Sequence, residues 1–226
     1  MDTAQEAIDY DSMDHAAVNR LFETDLLFAA LDAGLPVAED ESEGSPVEIL
    51  DLGTGTAQIP IELCRRAPNV RVVAIDLAAE MLHVAKLNVE LASLRDRVML
   101  NLVDAKQIPY DSGRFDAIMS NSIVHHIPEP ASVLAEAVRV VRPGGLIFIR
   151  DLLRPESEAE VRRLVALYAA DCNDHQRSMF DASLRAALML AEIRALVAAL
   201  GFPAETVRQT SDRHWTWSAI ALTASQ

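Results

Sequence analysis

Val47-Glu48-Ile49-Leu50-Asp51-Leu52-Gly53-Thr54-Gly55-Thr56-Ala57 is an apolar run that passes through one carboxylate straight into a glycine-rich turn. A short buried strand that ends in a sharp backbone turn needs residues without side chains. Gly53 and Gly55 supply both the torsions and the close approach. Ala57 then opens a helix, so the stretch reads as a strand-turn-helix site for a nucleotide-type cofactor. Asp51 sits between Leu50 and Leu52, and a carboxylate placed there needs partners if it is to be buried.

A glycine turn of this kind also occurs in nicotinamide dehydrogenases, so the surroundings decide. Arg71-Val72-Val73-Ala74-Ile75-Asp76 is a second buried strand ending in an acid, where a carboxylate can accept both hydrogen bonds of a ribose diol. A third run over residues 97–103 leads into Asp104-Ala105. Arg114-Phe115-Asp116-Ala117-Ile118-Met119-Ser120-Asn121 gives a fourth strand, and Arg142-Pro143-Gly144-Gly145-Leu146-Ile147-Phe148-Ile149 gives a turn and a fifth.

In that order and spacing, residues 47–150 resemble the class I S-adenosylmethionine-dependent methyltransferases, in particular the small-molecule branch with the ubiquinone and menaquinone methyltransferases. Asp51 and Asp104-Ala105 carry the discrimination, since Gly53, Gly55 and Asp76 would serve either cofactor; Ala57 stands where a third glycine is common. The resemblance implies an α/β fold, a Rossmann-like doubly wound seven-stranded sheet with its last strand antiparallel, helices on both faces and an N-terminal helical cap. It implies one domain over residues 1–226, with a cap and linker (1–46), a cofactor-binding core (47–150), and substrate-cover helices with a C-terminal hairpin (151–226). It also implies cofactor roles. Asp51, Gly53, Thr54 and Gly55 would meet the aminoacyl end of S-adenosylmethionine, and Asp76 the ribose hydroxyls. Leu77 and Met81 would form an apolar shelf for adenine, with Asp104 and the Ala105 amide on its polar edge. Ser120 and Asn121 would face the methyl group.

Composition narrows the partners. The chain has 226 residues, half of them apolar, which suits one sizeable core. Lys plus Arg number 20 against 34 acids, a net charge of −14. That balance disfavours nucleic acid, whose binders neutralise phosphate with a basic face. Ser120-Asn121-Ser122-Ile123 also lacks the Asn-Pro-Pro-aromatic signature of base-amino methyltransferases. Cys64 and Cys172 lie far apart with no metal-binding spacing, so neither a disulfide framework nor a metal site is expected. The acidic start Met1-Asp2-Thr3-Ala4-Gln5-Glu6 has no signal-peptide character, and no apolar run approaches membrane-spanning length. A cytoplasmic enzyme with a small-molecule acceptor and no membrane insertion is the expectation.

Outside the core, helical spacing of Val18, Leu21, Phe22, Leu26 and Leu27 predicts a helix from about Met13 to Ala33, stopped by Gly34-Leu35-Pro36. Residues 39–46 read as a charged linker. Pro155-Glu156-Ser157-Glu158 starts a helix through Val161, Leu164, Val165 and Tyr168, and another helical pattern leads to Leu200-Gly201. Residues 205–209 and 214–222 read as two strands of a hairpin.

Methyl transfer from a sulfonium asks chiefly for in-line positioning and exclusion of water. A base is needed only where the acceptor must lose a proton. His125 and His126, after the fourth strand, and Arg150-Asp151, closing the fifth, lie at the carboxyl ends of parallel strands, where such sheets bind ligands. A second cluster comprises residues 171–177 and 212–217, from which His175, Arg177 and His214 are expected to face the transfer pocket, with Trp215 beside it. The candidate catalytic set is thus His125, His126, Asp151, His175 and His214, with Arg150, Arg177 and Trp215 as substrate contacts. Alternatives are an inactive S-adenosylmethionine-binding sensor or assembly protein, a methyltransferase of protein side chains, and a nicotinamide-dependent oxidoreductase. Asp104-Ala105 and Pro143-Gly144-Gly145 count against the last.

Overall fold

The computed structural model describes residues 3–12, 16–37 and 45–222. The expected helix start at Met13 and most of the charged linker, residues 39–44, lie outside them. Two helices, α1 (Ala4–Asp11) and α2 (Ala16–Asp32), precede the sheet. The chain then alternates through β1 (Val47–Leu52), α3 (Gln58–Arg66), β2 (Val70–Asp76), α4 (Ala79–Leu91), β3 (Val98–Leu102), β4 (Phe115–Asn121), α5 (Pro130–Val140) and β5 (Val141–Leu152). Three helices follow, α6 (Glu158–Tyr168), α7 (Asp174–Ala186) and α8 (Leu190–Ala199), and the hairpin β6 (Val207–Gln209) and β7 (His214–Ile220) ends the described chain.

The strands form one seven-stranded sheet in the order β3-β2-β1-β4-β5-β7-β6. β1 through β5 pair in parallel, whereas β7 runs antiparallel to both β5 and β6. This is the sheet the resemblance implies. Its direction of progression reverses between β1 and β4, and there the crevice outside the strand ends receives ligands.

Near-continuous apolar runs follow from burial of both faces. Leu50, Leu52, Ile118, Ile147, Ile149, Trp215 and Trp217 face α5 and α8, while Ile49, Val72, Ala117, Met119 and Phe148 face α2, α3 and α4. Each fully buried aliphatic side chain contributes about 1.5–3 kcal/mol.

Three boundaries differ from the sequence reading. α6 begins at Glu158 because the Ser157 hydroxyl caps it, accepting from Glu160 N–H. β5 runs from Val141 to Leu152, absorbing the glycine pair. There a Cβ on Gly145 would lie 2.6 Å from Asp116 O. The polar stretch after Cys172 is the first turn of α7, started by a reciprocal capping box between Asn173 and Gln176. Among the described residues, no helix is long and apolar enough to cross a membrane.

Candidate active site

The glycine turn is held by the end of β2. Gly53 N–H and Thr54 N–H both donate to Ile75 O, at 2.9 and 3.0 Å. Gly55 N–H donates to Asp76 Oδ2 at 2.8 Å, and Ala78 N–H to Asp76 Oδ1 at 2.8 Å. Gly53 and Gly55 adopt φ of +71° and +57°, and Ala57 follows at +62°. Gly53 has a second requirement, since a Cβ there would fall 2.3 Å from Ile123 Cδ1. Val103 N–H donates to Asp76 O at 3.0 Å and brings the end of β3 to the same acid.

Asp51 is buried beneath this turn. Burial pushes its carboxyl up to about 7 and the Asp76 charge adds to the rise. The Thr54 hydroxyl opposes that rise as a hydrogen-bonding neighbour of the carboxylate, although the contact is looser than a well-formed hydrogen bond. Thr56 Oγ1 and Asn121 Oδ1 are buried without a protein partner. Unsatisfied buried polar atoms are uncommon, and Thr56 Oγ1 and Asn121 Oδ1 near the glycine turn suit a polar ligand. Ser120 is buried and donates to Leu52 O at 2.9 Å, tying β4 to β1.

The adenine-side residues are less uniform. Met81 and Ala105 are buried, whereas Leu77 is exposed. The Asp104 carboxylate accepts from Lys106 N–H at 2.9 Å and pairs with Lys106 Nζ at 3.0 Å. These bonds hold it below the usual carboxylate range.

Tyr10 on α1 is a site residue that the sequence reading did not single out. Its Cε1 lies 3.6 Å from where a Gly55 Cβ would be. Burial raises the phenol above its ordinary pKa, and the Asp76, Asp51 and Asp11 carboxylates raise it further. The capping box Thr3-x-x-Glu6 at the head of α1 is a readable helix signal.

Where β4 ends, Ser122 takes φ +61° and donates its N–H to Arg150 O at 2.9 Å. A single 3-10 turn, Val124–His126, follows. The Asp151 carboxylate organises it: Oδ2 accepts from Val124 N–H at 2.5 Å, and Oδ1 accepts from Leu152 N–H at 2.6 Å and meets His125 Nδ1 at 2.6 Å. The two side chains are only 4% and 1% exposed. An ionised Asp151 can only accept, so Nδ1 carries the proton and Nε2 is the basic nitrogen. The His126 ring is tilted by 42° to that of His125, with centroids 4.0 Å apart; the residue is exposed at the surface, and partial desolvation of its ring together with His125 holds its pKa below the usual histidine range. α7 packs against this turn.

The remaining candidates are dispersed. Arg150 neighbours Asp151 but points to the opposite face, where it donates to Thr216 Oγ1 at 2.8 Å and Asp25 Oδ2 at 2.6 Å over the rings of Phe22 and Phe148. Trp215 is fully buried in the core beneath α5 and α8. Arg177 donates to Ala169 O and Ala170 O, each at 3.0 Å, and so closes the C-terminus of α6. These three placements correct the expected substrate contacts, because packing and capping use the groups assigned to the acceptor. His175 is exposed on α7. His214 Nδ1 bonds Ser211 Oγ at 2.9 Å, and burial pushes the ring down to about 4. Among the described residues, His175, Arg177 and His214 share no hydrogen bond with one another.

The sheet order, with its last strand antiparallel, is that of the class I methyltransferase fold. Residues 50–149 match the model of the methyltransferase domain family. It is 32% identical to 27-O-demethylrifamycin SV methyltransferase of Amycolatopsis mediterranei, over 49% of this chain and 40% of that one. It is 33% identical to demethylmenaquinone methyltransferase of Thermus thermophilus, over 52% of each. The matches thus span about half the length of these relatives or less. A SAM-dependent methyltransferase structure from Aquifex aeolicus superposes with a TM-score of 0.66 at 18% identity, covering 97% of this chain and 99% of that one, and so shares the fold.

Proposed function

We propose that this protein is a cytoplasmic enzyme that methylates a small molecule at an atom that loses a proton on transfer. The observation that carries this reading is the buried His125–Asp151 pair at the carboxyl ends of β4 and β5, beside the glycine turn. The names of the curated relatives, methyltransferases of 27-O-demethylrifamycin SV and of demethylmenaquinone, support a small-molecule acceptor. The three regions act as a cap (1–46), a cofactor-binding core (47–150) and a substrate cover (151–226).

S-adenosylmethionine, when bound, supplies an electrophilic methyl group on a sulfonium that departs neutral. Gly53, Thr54 and Gly55 would cradle its aminoacyl end, with Asp51 facing that end and Asp76 the ribose. Met81, Leu77, Ala105 and Asp104 would border the adenine, and Ser120 and Asn121 would face the methyl. His125 Nε2 then accepts the proton as the acceptor's electron pair forms the new bond to carbon. Asp151 holds the imidazole in the tautomer that can do so and stabilises the cation formed. Partial desolvation and the neighbouring His125 hold His126 below the usual histidine range, which favours its neutral form near pH 7.

The test is incubation with methyl-labelled S-adenosylmethionine and a soluble cell extract, followed by separation into small molecules, protein and nucleic acid. Label in the small-molecule fraction that is lost in His125→Ala, with calorimetric cofactor affinity retained, is the expected result. Label confined to protein overturns the acceptor class, and binding with no transfer to any fraction points to the inactive sensor.

A further inference from the structure

Asp11, the last residue of α1, joins three elements. Its Oδ1 accepts from Gln58 Nε2 at 3.0 Å and from Asn88 Nδ2 at 2.9 Å, and its backbone carbonyl accepts from Gln58 Nε2 at 3.2 Å. Asn88 Nδ2 also donates to Thr56 O at 3.1 Å, within the glycine turn, and Asn19 Nδ2 on α2 donates to Gln58 Oε1 at 3.3 Å. Gln58 is the first residue of α3 and Asn88 belongs to α4. The C-terminal end of α1 is therefore linked through Asn88 to Thr56 of the same turn whose Gly55 Tyr10 meets one residue earlier.

Two properties mark this junction as a fastening that can open. α1 packs chiefly on α4 and contributes few side chains to the main core, with Ala7 buried and Ile8 exposed. The polar network also borders an open cavity of about 530 Å³ lined by Asp11, Asn19, Glu23, Gln58 and Asn88, so water can replace the bonds as they part.

We propose that Asp11 and Asn88 are positioning residues for the cofactor: they latch α1 over the glycine turn, and the cofactor leaves when that latch opens. This rests on the reading of the turn as the S-adenosylmethionine site. Asp11 acts through Tyr10, whose ring it holds over Gly55, and Asn88 acts through Thr56. Because both amides converge on one oxygen, the latch opens as a unit.

The experiment is rapid-mixing measurement of S-adenosylmethionine dissociation, with calorimetric Kd, on the full chain as wild type, Asp11→Ala, Asp11→Asn, Asn88→Ala and the Asp11→Ala/Asn88→Ala double variant. Asp11→Ala is expected to speed dissociation and raise Kd by about tenfold, the equivalent of roughly one lost hydrogen bond. Asp11→Asn keeps an acceptor oxygen and restores both to within about twofold, given that equivalence. The double variant is expected to match the more affected single one, as for a shared network. Hydrogen exchange should accelerate in α1 and not in the sheet. An unchanged dissociation rate in both Asp11→Ala and Asn88→Ala, or equal damage from Asp11→Ala and Asp11→Asn, overturns the latch while leaving the cofactor reading intact. Failure of the wild type to bind S-adenosylmethionine overturns the cofactor reading itself.

Discussion

Gly53→Ala should be among the most damaging single-methyl additions in this fold, and its cost can be built from two observed terms. The residue sits at φ +71°, where an L side chain is disfavoured by about 1–2 kcal/mol. The new Cβ would also lie 2.3, 2.8 and 2.9 Å from Cδ1, Cγ1 and Cβ of Ile123. A rotamer change can move the first two atoms but not Ile123 Cβ, so the 3-10 turn must shift. Overpacking of this kind costs about 1–3 kcal/mol. The sum is about 2–5 kcal/mol, against a total stability of about 5–15 kcal/mol for an ordinary domain. Gly55→Ala is the internal control. It has φ +57° but only an ordinary 3.6 Å contact with Tyr10 Cε1, so the backbone term of about 1–2 kcal/mol should stand nearly alone. Urea unfolding of both variants, with unchanged m-values, reads the difference. Adding Ile123→Ala to Gly53→Ala should recover about 1–2 kcal/mol of coupling in a double-mutant cycle. Equal costs for the two alanines, or strict additivity with Ile123→Ala, would refute the steric reasoning.

Asp76→Ala should weaken S-adenosylmethionine binding by about 1–3 kcal/mol in calorimetry, since it removes the acceptor of Gly55 and Ala78 N–H as well as the proposed ribose partner; unchanged affinity would remove Asp76 from the site. Asp151→Ala should destabilise the protein by about 2–5 kcal/mol in urea unfolding, because buried Val124 and Leu152 N–H lose their acceptor, whereas Asp151→Asn keeps one acceptor oxygen and should be milder. A mild alanine variant would contradict the organising role given to this carboxylate. Glu23 is buried and its pKa is pushed up to about 7 by burial, with Arg66 at 3.5 Å only partly offsetting it. The folded protein therefore keeps a proton that an unfolded glutamate releases near 4.5, so stability falls as pH rises from 4.5 to 7 and is level above. Glu23→Gln lacks that slope and should gain on the wild type between pH 5 and pH 8. A constant gap across this range would show that Glu23 is not the titrating group.

The sheet was legible because a parallel strand buried on both faces is a continuous apolar run, a one-dimensional signal that local punctuation delimits. Gly53, Asp51 and Asp76 were legible for the related reason that they punctuate such runs at their carboxyl ends. What stayed hidden depends on pairing across the chain. His125 was visible as a candidate and so was Asp151, but their 2.6 Å contact depends on the 3-10 turn folding back onto β5. Tyr10 and Asp11 could not be connected to Gly55 and Asn88 by any local pattern. The start of α1 was nonetheless written in Thr3-x-x-Glu6, and that of α7 in Asn173-x-x-Gln176. Both segments were read only for their charge and polarity.

Arg150 and Asp151 show why location at a strand end is insufficient evidence for a site. The rule that ligands bind at the carboxyl ends of parallel strands selected both residues equally. Side chains alternate across a strand, so consecutive residues cannot both face one crevice. The facing of β5 was already decided by Ile147 and Ile149 on one side and Phe148 on the other. Continuing that alternation puts Asp151 on the face of the 3-10 turn that carries His125, and Arg150 on the face covered by α2, where Asp25 and Thr216 satisfy it. The same parity holds on β7, where Trp215 and Trp217 fill the core and Thr216 lies with Arg150. Applied to the apolar residues first, alternation would have chosen between the two candidates, since the core fixes which polar neighbour can meet His125.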